Sequence, residues 1–85
     1  NMLKTNEYFE GKVKSIAMTT KGGDATIGVM AAGEYEFGTS TVEYMTVTSG
    51  KMMVKLSGQE DWKLFGEFET FIVDKDKKFK VKVEA

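Results

Sequence analysis

The sequence has 85 residues, a length that argues for one domain spanning 1–85, burying roughly 60 to 65% of its unfolded surface in a thin core. Its 12 basic and 13 acidic residues leave a formal charge of -1, which provides no overall field to hold nucleic acid or an acidic membrane. Cysteine and histidine are both absent, which removes disulfides, thiolate nucleophiles, imidazole bases and any metal centre other than one built from oxygen ligands.

Apolar residues make up 41% of the chain and charged ones 29%, the balance of a folded, soluble protein. No window approaches the roughly 18 consecutive apolar residues of a membrane span, and no secretory signal is evident, so a cytoplasmic location is expected. Asn1 precedes Met2 and reads as a residue added ahead of a natural start.

Short alternating apolar runs recur about every ten residues, separated by glycine-containing or polar turns, which predicts an all-β fold. Near the N-terminus the alternation slips between Phe9, Gly11, Val13 and Ile16, Met18, which predicts a bulge or bend around Lys14-Ser15. Lys21-Gly22-Gly23-Asp24 is a turn, and Ala25, Ile27 and Val29 then share one face of a strand. After Ala32-Gly33 a strand places Tyr35, Phe37 and Thr39 on one face.

Met45 and Val47 share the next face, and Ser49-Gly50 predicts a β-hairpin to the strand carrying Met52, Val54 and Leu56. Ser57-Gly58 and Asp74-Lys75-Asp76-Lys77 are further turns. In the last strand Phe79, Val81 and Val83 face the core, and Lys78, Lys80 and Lys82 face water. The lysines of 75–82 therefore read as the charged outer face of an exposed strand, not as a nucleic-acid patch. Trp62, the only tryptophan, is expected to fill the interior or a dimer contact. An open sheet this small would expose its edges, so closure into a barrel or jelly roll is expected.

Gly33 to Gly50 contains Glu43 separated by six residues from Gly50, the pattern Glu-x6-Gly. This resembles the second half of the first cupin motif. Where metal-binding cupins place two histidines, this chain has Thr39 and Thr41, so the resemblance is to a metal-free cupin. Asn6-Glu7-Tyr8-Phe9, Gly11 to Ile16, Gly28-Val29-Met30, Gly33-Glu34-Tyr35, Met45-Thr46-Val47 and Asp61-Trp62 extend the likeness over most of the chain. Together they resemble the small bacterial pyrimidine/purine nucleoside phosphorylases. The chain departs from that pattern in having Asp74-Lys75 at the place of a Pro-Gly turn, and in stopping at Ala85 where similar proteins continue with an apolar, aromatic-containing segment.

The resemblance implies a homodimeric cupin-type β-barrel that splits nucleosides of broad base specificity with phosphate, giving free base and pentose 1-phosphate. It implies no cofactor beyond inorganic phosphate as co-substrate. Phosphorolysis needs a place for the phosphate, stabilisation of a cationic sugar and help for the departing base, all within reach of positioning and electrostatics.

On that reading Glu43, on the interior side with Met45 and Val47, is the candidate catalytic carboxylate, unless it is a solvated or paired turn residue. Tyr35, Thr39 and Thr41 are candidate substrate contacts, with Phe37 read as core. Lys14 with Ser15 is the candidate phosphate cradle, although a surface lysine is the commoner outcome. Two other readings share the fold: a non-catalytic metal-free cupin that binds a small polar ligand such as a nucleoside or sugar, and a structural dimerisation module with an apolar-filled interior.

Overall fold

The computed structural model describes residues 3–84, so Asn1, Met2 and Ala85 lie outside the described residues. Among these residues the regular structure is entirely β: nine strands, and no helix long and apolar enough to cross a membrane. The strands are β1 (Lys4–Tyr8), β2 (Val13–Thr20), β3 (Gly23–Met30), β4 (Gly33–Gly38), β5 (Glu43–Thr46), β6 (Met52–Lys55), β7 (Lys63–Phe65), β8 (Thr70–Val73) and β9 (Lys78–Val83). They form three open antiparallel sheets, ordered β1-β2-β3, β4-β9-β6-β7 and β5-β8. No ladder among the described residues closes on itself, unlike the hydrogen-bonded ring expected of a closed barrel. The chain divides into two compact units, 1–32 and 33–85.

The first unit is a meander. Its β1–β2 register runs without interruption from Lys4↔Ala17 to Tyr8↔Val13, so the bulge expected at Lys14-Ser15 is absent. The slip in the sequence has another cause: Phe9, Glu10 and Gly11 all take positive φ and form the hairpin loop. Gly11 and Lys12 donate their N–H groups to the Tyr8 and Phe9 carbonyls there. At the other hairpin Thr20 pairs with Gly23, and the Thr20 hydroxyl donates to the Gly23 carbonyl at 2.8 Å. Period 2 on β2 buries Val13 and turns Lys14 and Ile16 to the other side. On β3 the expected apolar face is exposed: Ile27 is 62% and Val29 73% accessible. Alternation fixes which residues share a face; it does not supply what covers that face.

The second unit packs two sheets through aromatic rings. Val54 and Val81, directly opposite across β6–β9, are fully buried at its centre. Phe37 meets its cross-strand partner Phe79 with ring centroids 5.8 Å apart. Phe71 of β8 then lies 4.9 Å from Phe65 of β7 and 6.3 Å from Phe79 of β9, which joins the two-stranded ribbon to the four-stranded sheet. Although its lysines suggest an exposed strand, β9 is interior to its sheet, paired with β4 on one side and β6 on the other. Its outward lysines nonetheless form a charged face. Trp62 does not fill the interior; it is half-buried, with the Lys82 ammonium 4.6 Å from its ring centroid.

The hairpin expected at Ser49-Gly50 does not form, because β5 pairs with β8 and β6 pairs with β7 and β9. Val47 explains this. It is buried, its N–H donates to the Glu69 carbonyl and its carbonyl accepts from Phe68, so the chain leaving β5 is already committed to the β8 side. Gly50, at φ 87°, lies in the connection that takes the chain on to the other sheet.

The Asp74–Lys77 turn also crosses between sheets, and Thr39 holds it. The Thr39 hydroxyl donates to the Asp74 carbonyl at 2.6 Å and accepts from the Lys77 N–H at 3.1 Å. Its own N–H donates to the Lys77 carbonyl, and its carbonyl accepts from the Asp76 N–H. A buried hydroxyl so engaged is costly to delete, because its partners are left without a replacement. Thr39→Val is expected to destabilise by about 1–2 kcal/mol, a fall in Tm of roughly 5–15 °C, whereas exposed Thr41→Val leaves Tm unchanged. Equal melting temperatures for both variants and the parent would contradict the clamp.

Candidate functional site

Glu43 opens β5 and lies directly opposite Val73 of β8, which is buried. Two residues on, Met45 lies opposite buried Phe71. Period 2 therefore sets the Glu43 carboxylate on the side of the ribbon that Phe71 presses against the four-stranded sheet, while Tyr44 and Ile72 form an exposed pair on the other side. The residue is half-buried, and among the described residues no hydrogen bond or ion pair engages its carboxylate. A half-desolvated carboxylate in this position keeps its acceptor capacity for a ligand.

Thr39 comes into the same neighbourhood, since its hydroxyl is bonded to Asp74, the residue after Glu43's partner Val73. That bond occupies its proton, so its part here is to hold the end of the segment that leads through Thr41 to Glu43. Thr41 is exposed in a bend two residues before Glu43.

Tyr35 is only 4% exposed and lies opposite Val81, so it is a core residue as well as a candidate contact. Its hydroxyl folds back over Gly33, where an added Cβ would sit 2.8 Å from that oxygen. With φ at 155°, Gly33 favours glycine on backbone grounds also. Phe37 packs between Tyr35 and Phe79, in agreement with its core reading.

Lys14 and Ser15 belong to the first unit. Lys14 is exposed and its ammonium lies 3.5 Å from the Glu7 carboxylate, its cross-strand neighbour. Ser15 is half-buried on the opposite face of β2, beside Gly28. Adjacent strand positions point to opposite faces, so the two side chains do not converge on one anion.

Two shallow clefts mark the surface of the second unit around the 56–59 turn, and neither is lined by Glu43. One, of about 190 Å³, includes Ile72, Val73, Asp74 and Lys77. The other, of about 220 Å³, includes Glu36, Lys55, Lys78 and Lys80. The lysines of the second cleft were not singled out from the sequence as ligands, because only the cross-strand register brings residue 55 beside residue 80.

Comparison with known proteins places these residues in a family context. The family model described as pyrimidine/purine nucleoside phosphorylase matches residues 3–85. The chain is 60% identical over 82 residues to a protein of that name from Alcanivorax borkumensis, covering 96% of this chain and 87% of the other. It is 56% identical over 84 residues to one from Marinobacter nauticus, covering 99% and 90%. A crystal structure of a protein of unknown function from Vibrio parahaemolyticus superposes with a TM-score of 0.96 at 40% identity, covering 99% of this chain and 89% of that one. Matches of this identity over nearly the whole length show that the chain belongs to the pyrimidine/purine nucleoside phosphorylase family.

Proposed function

We propose that the chain is a nucleoside phosphorylase of broad base specificity, converting nucleoside and inorganic phosphate to free base and pentose 1-phosphate, with Glu43 as its central catalytic group. The observation that carries this assignment of roles is the inward-facing, unpaired Glu43 carboxylate beside Val73. In the reaction a phosphate oxygen forms a bond to the anomeric carbon as the carbon–nitrogen bond breaks, and the bond's electron pair leaves with the base, which takes up a proton. The attacking atom comes from phosphate, so a chain without cysteine or histidine lacks nothing essential.

Positive charge grows on the sugar as the base departs. A carboxylate held in a half-buried position opposes that charge more strongly than one in open water, and can accept hydrogen bonds from sugar hydroxyls. Thr41, two residues away, is suited to the same sugar. Thr39 positions the segment that carries both, and Tyr35, buried opposite Val81, is proposed as a further substrate contact.

The architecture we propose is a single metal-free cupin-type barrel working in the cytoplasm on small molecules. The facing of two sheets through Phe71 supports that architecture. The functional unit is proposed to be a homodimer of two copies joined through the exposed face of β2 and β3. Ile16 and Ile27 lie directly opposite each other there, next to Val29 and the Glu7–Lys14 pair. An apolar centre flanked by both signs of charge can meet its own copy across a two-fold axis.

Incubation with several nucleosides is expected to release base only when phosphate is present. Glu43→Gln is expected to lower kcat about a hundredfold while Tm stays within a few degrees. Undiminished turnover in the variant would remove Glu43 from the mechanism. Ligand-induced thermal stabilisation without any turnover would favour a binding protein instead. For the dimer, Ile27→Glu is expected to shift the sedimenting mass from two copies to one; an unchanged mass would place the contact elsewhere.

A further inference from the structure

The outer face of the four-stranded sheet carries a charge arrangement that folding alone does not favour. Across β4, β9 and β6, two neighbouring rows each set a β4 carboxylate opposite a β9 lysine, and they differ on β6, which gives Met53 in the first and Lys55 in the second. In the first, Glu34 lies opposite Lys82, and the two form an ion pair at 3.9 Å while Lys82 also rests over Trp62. In the second, Glu36 lies opposite Lys80, which in turn lies opposite Lys55. There two ammonium groups face each other directly across the ladder, a pairing that costs stability, and no ion pair forms at Lys55, Lys78 or Lys80 among the described residues.

Lys78, two residues before Lys80, projects from the same face, and its neighbour across the ladder is Gly38, which has no side chain to fill the space. These three lysines line the cleft of about 220 Å³ together with Ser57 and Gln59 of the turn after β6. Three cations meet one carboxylate, Glu36, in a concave space. Its volume is below the roughly 300–1,000 Å³ typical of pockets for whole drug-sized molecules, and so suits a small anionic group.

We propose that this cleft is an oxyanion site that takes a phosphate group, either as free inorganic phosphate or on a small phosphate monoester. A dianion between Lys55 and Lys80 converts their repulsion into two attractive contacts. Lys78 supplies the third charge, while the Ser57 hydroxyl and Gln59 carboxamide supply neutral donors. Glu36 opposes binding and sets its strength. The site lies on the outer face of its sheet, opposite buried Val81, with Leu56 and Phe79 also in its lining, and its occupation does not depend on catalysis at Glu43.

The test uses the intact protein without nucleoside, titrated with inorganic phosphate and separately with pentose 5-phosphate, at constant ionic strength set by chloride. Binding is followed by NMR at the Gly58 and Gln59 amides. Saturable shifts with phosphate are expected, weakened about tenfold or more in Lys55→Gln/Lys80→Gln and tightened severalfold in Glu36→Gln. Lys21→Gln, in the β2–β3 turn, leaves the affinity unchanged. Saturation by both ligands assigns the site to a phosphoryl group on any small carrier, and saturation by phosphate alone assigns it to the free ion. The proposal is overturned if neither ligand saturates these amides, or if the double variant binds as the parent does. Because the titration contains no nucleoside, its failure would leave phosphorolysis at Glu43 standing.

Discussion

The packing of Phe71 is the contact on which the inner surface of the second unit depends. Its ring lies against Phe65 and Phe79, two strands of the facing sheet, and thereby decides which side of the β5–β8 ribbon is inside. Aromatic pairs of this kind contribute about 0.5–1.5 kcal/mol beyond their burial, and the register carries the consequence along the strands. With Phe71 inward, Val73 must be inward, and with Val73 inward its partner Glu43 cannot face water on the outside. A carboxylate thus takes a half-buried position because hydrophobic residues on the neighbouring strand hold the ribbon in that orientation.

The hydroxyl-bearing residues around it divide into structural and available groups. Thr39 spends its donor on the Asp74 carbonyl, and Tyr35 is packed over Gly33 in the core. Thr41 and Glu43 are left exposed and half-buried, with no side-chain hydrogen bond or ion pair among the described residues. Thr39 closes a turn by hydrogen bonding, which ties the segment leading to Glu43 to the Asp74–Lys77 turn.

Much of this was legible in the sequence because its signals were local. Alternation located the last strand and the inward set Phe79, Val81, and it placed Glu43 on the side of Met45. Glycines and polar clusters marked the turns. What could not be read were the facts set by distant partners. Ser49-Gly50 has the composition of a hairpin, yet Val47 is bonded to residues 68 and 69, far along the chain. Three successive positive φ values at Phe9–Gly11 imitated a bulge in the periodicity. Ile27 and Val29 looked like core because nothing in a single strand says whether its apolar face is covered. The Thr39 clamp spans more than thirty residues, and the Lys55–Lys80 opposition exists only through register.

The most direct test of the central claim is a crystal structure with a nucleoside analogue that resists phosphorolysis, bound together with phosphate. The account predicts that sugar hydroxyls lie within hydrogen-bonding distance of the Glu43 carboxylate, on the side of the ribbon shared with Phe71. A nucleoside seated elsewhere, with Glu43 touching only solvent, would contradict it.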